Sequence, residues 1–362
     1  MKPRSRHVRV APGKRMIAVS DVHGSLPYLR GLLEKLRFGE NDALFIVGDL
    51  VEKGKYSLET LRYVIDLSKT REVHLISGNC DWWYPILHDE RLIRSAPWYI
   101  NNKPYNLARQ MCAEIGYPVT EDIDPADMRD ALERAFPEEC AALRDMPEII
   151  ETPECTFVHG GLPDGLPDTW DAWRVMKLDH YLTVAKPQEK WVVCGHWPVM
   201  LYHDSIVDAN PIVDRRLRIA SIDGGCVLKD DGQLNALIIP RSGEDFSFVS
   251  YDLFPAVTAL DFQAPSERSW YIRWGDAEVE ILRRGEEFCR CRHKRTGYVM
   301  DILTKYIYES PSGVTVNDCT DYELPVFPGD TLSLVEETSR GIFAKKNGVS
   351  GWYRGRIKSQ NT

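Results

Sequence analysis

Five short polar segments of the chain contain residue types that bind divalent metal ions. They are Ser20-Asp21-Val22-His23-Gly24, Gly48-Asp49-Leu50-Val51-Glu52-Lys53-Gly54, Gly78-Asn79-Cys80-Asp81, His159-Gly160-Gly161 and Gly195-His196. Hard oxygen ligands mixed with imidazoles suit manganese, iron or zinc better than calcium or magnesium. The glycines allow sharp turns, which aim the neighbouring side chains into a crevice. The segments therefore predict a centre that binds two divalent metal ions.

The residue types also suggest how the ligands are shared between the two ions. We expect Asp49 to bridge the ions and Asp21 and His23 to complete one site. The ligands expected to complete the other site are Asn79, His159 and His196. Two ions about 3.5 to 4 Å apart can share a hydroxide and stabilise both oxygens of an in-line phosphoryl displacement. The pattern predicts direct attack of a metal-bridging hydroxide on a phosphate ester, without a covalent phosphoenzyme.

Apolar runs precede the first three segments and indicate the strands that position them. These runs, at residues 16–20, 43–47 and 73–77, are separated by leucines at helical spacing over residues 26–36 and 58–67. The alternation predicts a β-α-β-α-β unit with largely parallel strands, and in such units the ligand crevice lies at the carboxyl ends of the strands. Further strand-like runs, expected to complete the sheet layer, are residues 155–158, 191–194, 218–222 and 235–239.

Changes in composition predict a large α/β (α+β) domain and a smaller all-β domain. We place the first at residues 1–242, with the charged, helix-like residues 82–150 inserted as a helical cap over the crevice. Residues 255–362 alternate strands and turns, which is typical of an all-β domain. Residues 328–334 and 351–357 are similar to the turns and strands of a small SH3-like barrel. Such a module would bind a peptide partner or serve only as a structural appendage.

The bulk composition limits the class of protein. The chain has 362 residues, of which 43% are hydrophobic and 27% charged, and it contains no apolar run long enough for a membrane helix. The formal net charge of −9 argues against nucleic acid as a partner. Nine scattered cysteines fit free thiols in a reducing cytoplasm. The basic residues near the start lack the apolar run of a secretory signal and are expected to form a solvated tail: Lys2, Arg4, Arg6 and Arg9.

The motifs Asp-x-His-Gly, Gly-Asp-x-Val-x-x-Gly, Gly-Asn-x-Asp, His-Gly-Gly and Gly-His resemble those of calcineurin-like metallophosphoesterases, specifically the PPP-type phosphoprotein phosphatases. Bacterial serine/threonine phosphatases and symmetrical diadenosine tetraphosphatases have similar patterns. The resemblance covers residues 16–226, including Ile222-Asp223-Gly224-Gly225. It implies a β-sandwich flanked by helices and two metal ions, with manganese preferred over iron or zinc. It also implies phosphate binding by Lys53, Asn79 and a second cation at Arg174.

Two departures from the family pattern concern catalysis. Lys53 stands where the family has an arginine, and it would neutralise phosphate as a point charge. Cys80 stands where the family has a histidine that protonates the leaving oxygen and is oriented by a carboxylate at the position of Glu52. A thiol with a pKa of about 8.5 is a poor substitute for an imidazolium, so Cys80 is either the acid or a packing residue. Histidines that could replace it are His74, His88 and His203.

These features favour a metal-dependent phosphatase that hydrolyses phosphomonoesters, with a phosphorylated protein or a small phosphate ester as substrate. Weak acid catalysis at Cys80 would favour leaving groups of low pKa, such as aryl phosphates, phosphotyrosine or anhydrides, over phosphoserine. A hydrolase of dinucleoside polyphosphates or other nucleotides is the alternative. A non-catalytic phosphate-binding scaffold is the second alternative.

Overall fold

Two compact units make up the part of the chain that the structure, a computed structural model, describes: residues 1–240 and 246–359. Unit 1 comprises Met1–Pro198, Pro211–Leu228 and Gly232–Tyr251, and unit 2 comprises Val199–Asn210, Lys229–Asp231 and the chain from Asp252 onward. The domain end predicted at residue 242 lies outside the described residues, as do residues 360–362. The predicted start of the second domain at residue 255 lies inside unit 2.

The strands before residue 252 belong to unit 1, except β8. They are β1 (Ser5–His7), β2 (Arg15–Val19), β3 (Asp42–Val47), β4 (Glu72–Ile76), β5 (Ile149–Glu151), β6 (Cys155–Val158), β7 (Trp191–Cys194), β8 (Val207–Asp208), β9 (Ile212–Asp214), β10 (Ile219–Ser221), β11 (Leu234–Ile239) and β12 (Ser247–Tyr251). The strands of unit 1 form one sheet in the order β12-β11-β2-β3-β4 and a second sheet in the order β1-β5-β6-β7-β10-β9. The pairs β2-β3 and β3-β4 are parallel, which confirms the predicted topology.

A layer of apolar side chains joins the two sheets into a sandwich. Phe45 of β3 stacks on Phe157 of β6 with ring centroids 4.1 Å apart, and Ala18, Val193 and Ala220 belong to the same buried cluster. Burying these side chains removes apolar surface from water, which is the main favourable contribution to folding. Three of the four later runs thus build the second sheet, and only β11 joins the first. The mixed α/β fold is confirmed.

Helices flank the sheets and form the predicted insertion. They are α1 (Leu26–Lys35), α2 (Ser57–Ser68), α3 (Trp83–His88), α4 (Ala96–Asn102), α5 (Leu107–Glu114), α6 (Pro125–Ala135), α7 (Pro137–Asp145), α8 (Ala172–Met176) and α9 (Tyr181–Val184). Asp124 caps α6 by accepting from the backbone of Ala126, and Pro125 occupies the first turn. Leu132 of the insertion shares one core cluster with Leu61 of α2. Helices α3 to α7 are therefore packed into the domain core.

The basic N-terminal segment is part of the second sheet, so the prediction of a solvated tail was wrong. Strand β1 pairs in parallel with β5. The Arg4 guanidinium lies 2.9 Å from the carboxylate of Glu148, which is buried. A buried carboxylate requires a partner for its charge, and Arg4 supplies it.

Unit 2 is all-β, as predicted. Its strands after residue 252 are β13 (Ala256–Ala259), β14 (Tyr271–Ile272), β15 (Val279–Arg283), β16 (Phe288–His293), β17 (Val299–Leu303), β18 (Ile307–Ser310), β19 (Gly313–Val316), β20 (Cys319–Thr320), β21 (Thr331–Thr338), β22 (Gly341–Lys346), β23 (Val349–Tyr353) and β24 (Ile357–Ser359). The main sheet has the order β24-β13-β21-β22-β23-β8.

Three hydrophobic clusters of described residues lie in unit 2, and the two larger ones belong to different sheets. One contains Leu332, Ala344 and Tyr353 of the main sheet, and the other contains Cys291 and Met300 of the small sheet β15-β16-β17. The residues between β13 and β21 therefore build a hydrophobic core of their own. The sequence predicted one small barrel and did not predict this second core. Among the described residues of the whole chain, no helix combines the length and apolar composition needed to cross a membrane.

Candidate metal centre

The polar segments predicted to bind metal converge beyond the carboxyl ends of the strands, with Asp49 in the middle. Nε2 of His159 lies 3.2 Å from Oδ1 of Asp49, and Nε2 of His23 lies 3.7 Å from Oδ2. The same nitrogen of His23 is 3.9 Å from Oδ1 of Asp21. Imidazoles from two different loops thus face the two oxygens of one carboxylate, which is the arrangement expected around a bridging ligand.

Two groups of potential ligand atoms share Asp49. Asp49, His159 and His196 place one ligand atom each within 4.8 Å of one another, and Asp49 does the same with His23 and Cys80. The first group agrees with the site predicted from the sequence. The second places the thiol of Cys80 close to the other predicted site.

Buried polar atoms at this centre have no hydrogen-bond partner among the described residues. They are Oδ1 of Asp21, Nε2 of His23, Oδ1 of Asn79 and Nε2 of His159. Each buried polar atom without a partner costs about 1 to 3 kcal/mol. A divalent cation would satisfy such atoms, and the set of carboxylate, amide and imidazole donors suits a transition metal. The residues present therefore fit the two metal ions that the sequence predicts.

The backbone of the ligand segments is strained. Four proposed ligands have positive φ angles, at 54° for Asp21, 48° for His23, 52° for Asp49 and 66° for His196. This left-handed region is unfavourable for residues other than glycine and costs about 1 to 3 kcal/mol each, and such residues cluster at functional sites. The strain is an indication of function that is independent of residue type.

Two glycines allow the loops to approach the carboxylates closely. A Cβ atom at Gly78 would lie 2.2 Å from Oδ1 of Asp49, and a Cβ atom at Gly195 would lie 2.2 Å from Oδ2 of Asp21. Any larger side chain would displace the carboxylate or the loop. The glycines of the third and fifth motifs are therefore required by steric contact with the ligands.

A second layer of contacts orients the imidazoles. Nδ1 of His159 is 2.9 Å from the carbonyl oxygen of Val47, and Nε2 of His196 is 2.7 Å from Oδ1 of Asp179. Such partners fix the ring and leave the other nitrogen free to bind a metal ion. Sequence reasoning missed Asp179, because it lies between two motifs in a stretch without fixed spacing.

The buried carboxylate of Asp81 joins the second and third motifs. It accepts hydrogen bonds from the backbone nitrogens of Leu50 at 2.9 Å, Val51 at 3.1 Å and Gly78 at 2.9 Å. Burial raises the pKa of Asp81 to about 7, with a further contribution from the Asp49 carboxylate. Asp81 thus holds together the loops that carry Asp49 and Asn79.

The pKa values at the centre reflect burial and mutual interaction. Burial lowers the pKa of His23 to about 4 and raises the pKa of Asp21 to about 6. Burial also opposes the charged form of His159, but Asp49 and Asp21 raise its pKa to about 10. Asp49 is buried as well, and the nearby histidines keep its pKa well below the usual range. The carboxylates thus create a negative potential that suits a cation.

The carboxylate of Glu52 is hydrogen-bonded to the helical insertion. Its carboxylate accepts hydrogen bonds from Nε1 of Trp83 at 2.5 Å, the hydroxyl of Tyr99 at 2.9 Å and the backbone nitrogen of Leu107 at 2.8 Å. Both oxygens are therefore used by donors of the insertion. The catalytic role that the resemblance implies for Glu52 stays a prediction.

Cys80 lies partly buried at the cleft beside the centre. Its Sγ accepts a hydrogen bond from Asn79 at 3.4 Å, and low solvation together with the Asp49 carboxylate raises the pKa of the thiol well above its usual range. A group of such high pKa is a weak proton donor. Neither His74, paired with Glu72, nor His88, paired with Glu133, lines this cleft.

The cleft has a volume of about 630 Å³. Its lining includes Asn79 and Cys80 of the third motif, Lys53, residues of the insertion, and Trp173 of α8. Arg174, the predicted second phosphate-binding residue, is exposed and does not line the cleft in the described chain. Neighbouring residues on a helix point about 100° apart, so α8 presents Trp173 to the cleft and directs Arg174 elsewhere.

Comparisons with known proteins find a family model and curated relatives that are similar to part of this chain. A family model described as calcineurin-like phosphoesterase matches residues 14–216. The symmetrical bis(5'-nucleosyl)-tetraphosphatase of Thioalkalivibrio sulfidiphilus is 33% identical over 149 residues, which are 40% of this chain and 44% of that protein. The enzyme of the same name from Vibrio parahaemolyticus is 29% identical over 166 residues, which are 42% of this chain and 59% of that protein. The chain therefore matches about half the length of these curated relatives.

Solved structures that align with this chain include a putative diadenosine tetraphosphatase, with a TM-score of 0.42 and 20% identity, covering 67% of this chain and 97% of that one. A protein serine/threonine phosphatase from Saccharomyces cerevisiae has a TM-score of 0.43 and 12% identity, covering 70% of this chain and 84% of that one.

Proposed function

The chain belongs to the calcineurin-like phosphoesterase family, and we propose that unit 1 is a metal-dependent hydrolase of phosphoric esters and anhydrides. The observation that carries this proposal is the set of buried ligand atoms around Asp49 that have no hydrogen-bond partner among the described residues. The proposed metal is manganese, with iron or zinc as alternatives. The proposed ligands are Asp21, His23, Asp49, Asn79, His159 and His196.

The residues of the chain would bind the metal ions and the phosphate. When bound, two divalent cations would supply a hydroxide nucleophile near neutral pH and would neutralise the phosphoryl oxygens. Asp49 presents one oxygen to His159 and the other to His23, and Asp179 keeps the ring of His196 in place. The ammonium of Lys53 lies in the cleft and would attract the phosphate as a point charge.

For the substrate we propose a dinucleoside polyphosphate or another nucleotide. The names of the curated relatives support this class, although the chain matches only part of each. The chemistry of Cys80 supports this substrate class as well. When a phosphate anhydride is hydrolysed, the leaving group is a phosphate, which can leave without a strong general acid. The alkoxide of phosphoserine leaves much more slowly without such an acid.

An aryl phosphate, including phosphotyrosine on a protein, is the second candidate substrate. A phenolate, with a pKa near about 10, also leaves without strong acid catalysis. The weak thiol acid at Cys80 therefore fits both candidates and disfavours phosphoserine.

Steady-state hydrolysis tests the proposal directly. The substrates are diadenosine tetraphosphate, p-nitrophenyl phosphate, and phosphotyrosine and phosphoserine peptides, each with Mn²⁺ added or chelated. We expect Mn²⁺-dependent turnover that Asp49→Asn abolishes and that Asp66→Asn, on the exposed surface of α2, does not change. If no substrate is hydrolysed with Mn²⁺ bound, the result would favour the non-catalytic scaffold. Equal rates on the phosphoserine and phosphotyrosine peptides would contradict the role given to Cys80.

A further inference from the structure

Two exposed lysines face the cleft beside the metal centre. Lys53 belongs to the second motif, and Lys103 follows helix α4 of the insertion; both line the cleft. Neither ammonium forms an ion pair with a carboxylate of the described residues. Other lysines of unit 1 do, such as Lys190 with Glu151 at 2.9 Å. The cleft thus presents two positive charges that the described part of the protein does not neutralise.

The backbone keeps the two lysines close to each other. The nitrogen of Lys53 donates a hydrogen bond of 2.8 Å to the carbonyl oxygen of Tyr105, two residues after Lys103. The next residue, Asn106, is fully buried, and its amide donates to the carbonyl oxygen of Ile100 at 3.1 Å. Because both ends of the segment are anchored, Lys103 extends from a defined loop.

Aromatic side chains on the same cleft remain accessible. Tyr105 is 44% exposed and Trp173 is 41% exposed, and both line the cleft. Trp173 is held by Trp82, with ring centroids 5.5 Å apart. Large rings exposed inside a concave site offer faces on which a planar base can stack.

The combination matches a ligand with several phosphates and an aromatic base. A phosphomonoester has one phosphate, which Lys53 can neutralise. The second unpaired cation and the exposed rings indicate additional phosphates and a base. We propose that Lys103, Tyr105 and Trp173 form a subsite for the non-reacting phosphates and the base of a nucleoside polyphosphate. The subsite rests on the proposed function, and in it Lys103 takes the part that the sequence assigned to Arg174.

The test compares Lys103→Met with a matched control. Lys55→Met removes an exposed lysine of the same loop as Lys53 that does not line the cleft. We expect Lys103→Met to lower kcat/KM for diadenosine tetraphosphate about tenfold. The decrease should come from a higher KM, because a charge-assisted contact with the substrate is lost. The loss for p-nitrophenyl phosphate should be much smaller, Lys103→Arg should restore most of the activity, and Lys55→Met should behave as wild type. Equal losses on the two substrates, or no loss, would overturn the subsite.

The aromatic part of the subsite is tested by binding. Tyr105→Leu should weaken ADP several-fold more than tripolyphosphate in a calorimetric titration, because only ADP carries a base. Trp98→Leu, which removes a 63% exposed ring of the insertion outside the cleft lining, is the control. Equal weakening of both ligands by Tyr105→Leu would exclude stacking.

The two proposals fail in different ways. If the wild-type protein hydrolyses none of the substrates but Lys103→Met weakens ADP, the subsite stands and the hydrolase is rejected. If the wild type is active and Lys103→Met changes neither activity nor ADP affinity, the subsite alone is rejected.

Discussion

Buried histidines in the two units have opposite surroundings. In unit 2, His293 is fully buried, and both ring nitrogens have partners: Nδ1 lies 2.8 Å from the hydroxyl of Thr296, and Nε2 lies 2.9 Å from the carbonyl oxygen of Asp276. In unit 1, His23 and His159 are equally buried, but Nε2 of each has no hydrogen-bond partner in the described chain. Burial alone therefore does not distinguish a structural histidine from a metal ligand, whereas an unpartnered nitrogen facing a carboxylate does.

The same contrast applies to the cysteines. Cys289 and Cys291 of unit 2 are buried in a hydrophobic cluster, as small apolar residues. Cys80 of unit 1 lines a cleft close to Asp49 and His23. The position of a cysteine in the fold therefore decides whether its thiol can contact a substrate.

The largest expected difference between the two kinds of histidine is in activity. His159→Gln removes a proposed ligand and should lower Mn²⁺-dependent hydrolysis by more than about 100-fold, above the range for residues that only orient ligands. His293→Gln should leave hydrolysis intact but lower the free energy of unfolding by about 1 to 3 kcal/mol, because buried partners lose their hydrogen bonds. Activity assays and thermal unfolding with Mn²⁺ or EDTA measure both. If His159→Gln loses stability equally with and without metal, it is a structural residue like His293.

The residue that orients His196 should give the next largest effect. Asp179→Asn weakens the partner of Nε2, and we expect Mn²⁺ affinity to fall by about 10 to 100-fold. Asp168→Asn, at an exposed carboxylate paired with Lys2, is the matched control. Unchanged Mn²⁺ affinity in Asp179→Asn would show that the contact does not position the ligand.

Glu52 should give a pH-dependent effect on stability. Burial raises the pKa of Glu52 from 4.5 to about 7, so the folded protein retains a proton that the unfolded chain releases between these values. The contribution of Glu52 to the free energy of unfolding is therefore fully present below pH 4.5. It is lost as the pH rises to about 7, and the loss is at most about 3 kcal/mol. Glu52→Gln has no charge to bury, so its unfolding free energy should fall less across this window. Denaturation in EDTA at several pH values measures this, and parallel curves for the two proteins would contradict it.

The smallest expected effect concerns Cys80. Cys80→Ser removes a thiol whose pKa is already high, so the change in kcat for diadenosine tetraphosphate should be below about tenfold. A loss of about 100-fold or more would instead identify Cys80 as the general acid. The same variant assayed on a phosphotyrosine peptide tests whether the weak dependence on acid extends to aryl esters.

Much of unit 1 could be predicted from the sequence because local pattern and function coincide there. The strand runs and glycine-containing loops identified β2, β3 and β4 and the loops after them. The order of those loops placed Asp21, Asp49 and Asn79 at the same end of one sheet, since parallel strands share their carboxyl edge. The cytoplasmic location of the protein and a peptide partner for unit 2 remain predictions.

Other features depend on contacts between residues far apart in sequence. Glu52 occupies a family position with one expected role, yet donors at residues 83, 99 and 107 determine what its carboxylate binds. Arg4 belongs to a charged segment that resembles a solvated tail, but the buried Glu148 attracts it into a sheet. No spacing rule connects these pairs.

By itself, the sequence determined the family and the mixed α/β class and predicted the six proposed ligands, because hard donors after buried strands form a pattern that short-range chemistry explains. Only the tertiary structure decided that Asp179 supports His196, that Trp173 rather than Arg174 faces the cleft, and that Lys103 and Lys53 line the same cleft. These arrangements depend on the rotation of short helices and on the packing of the insertion, and both are set by the contacts of the whole unit.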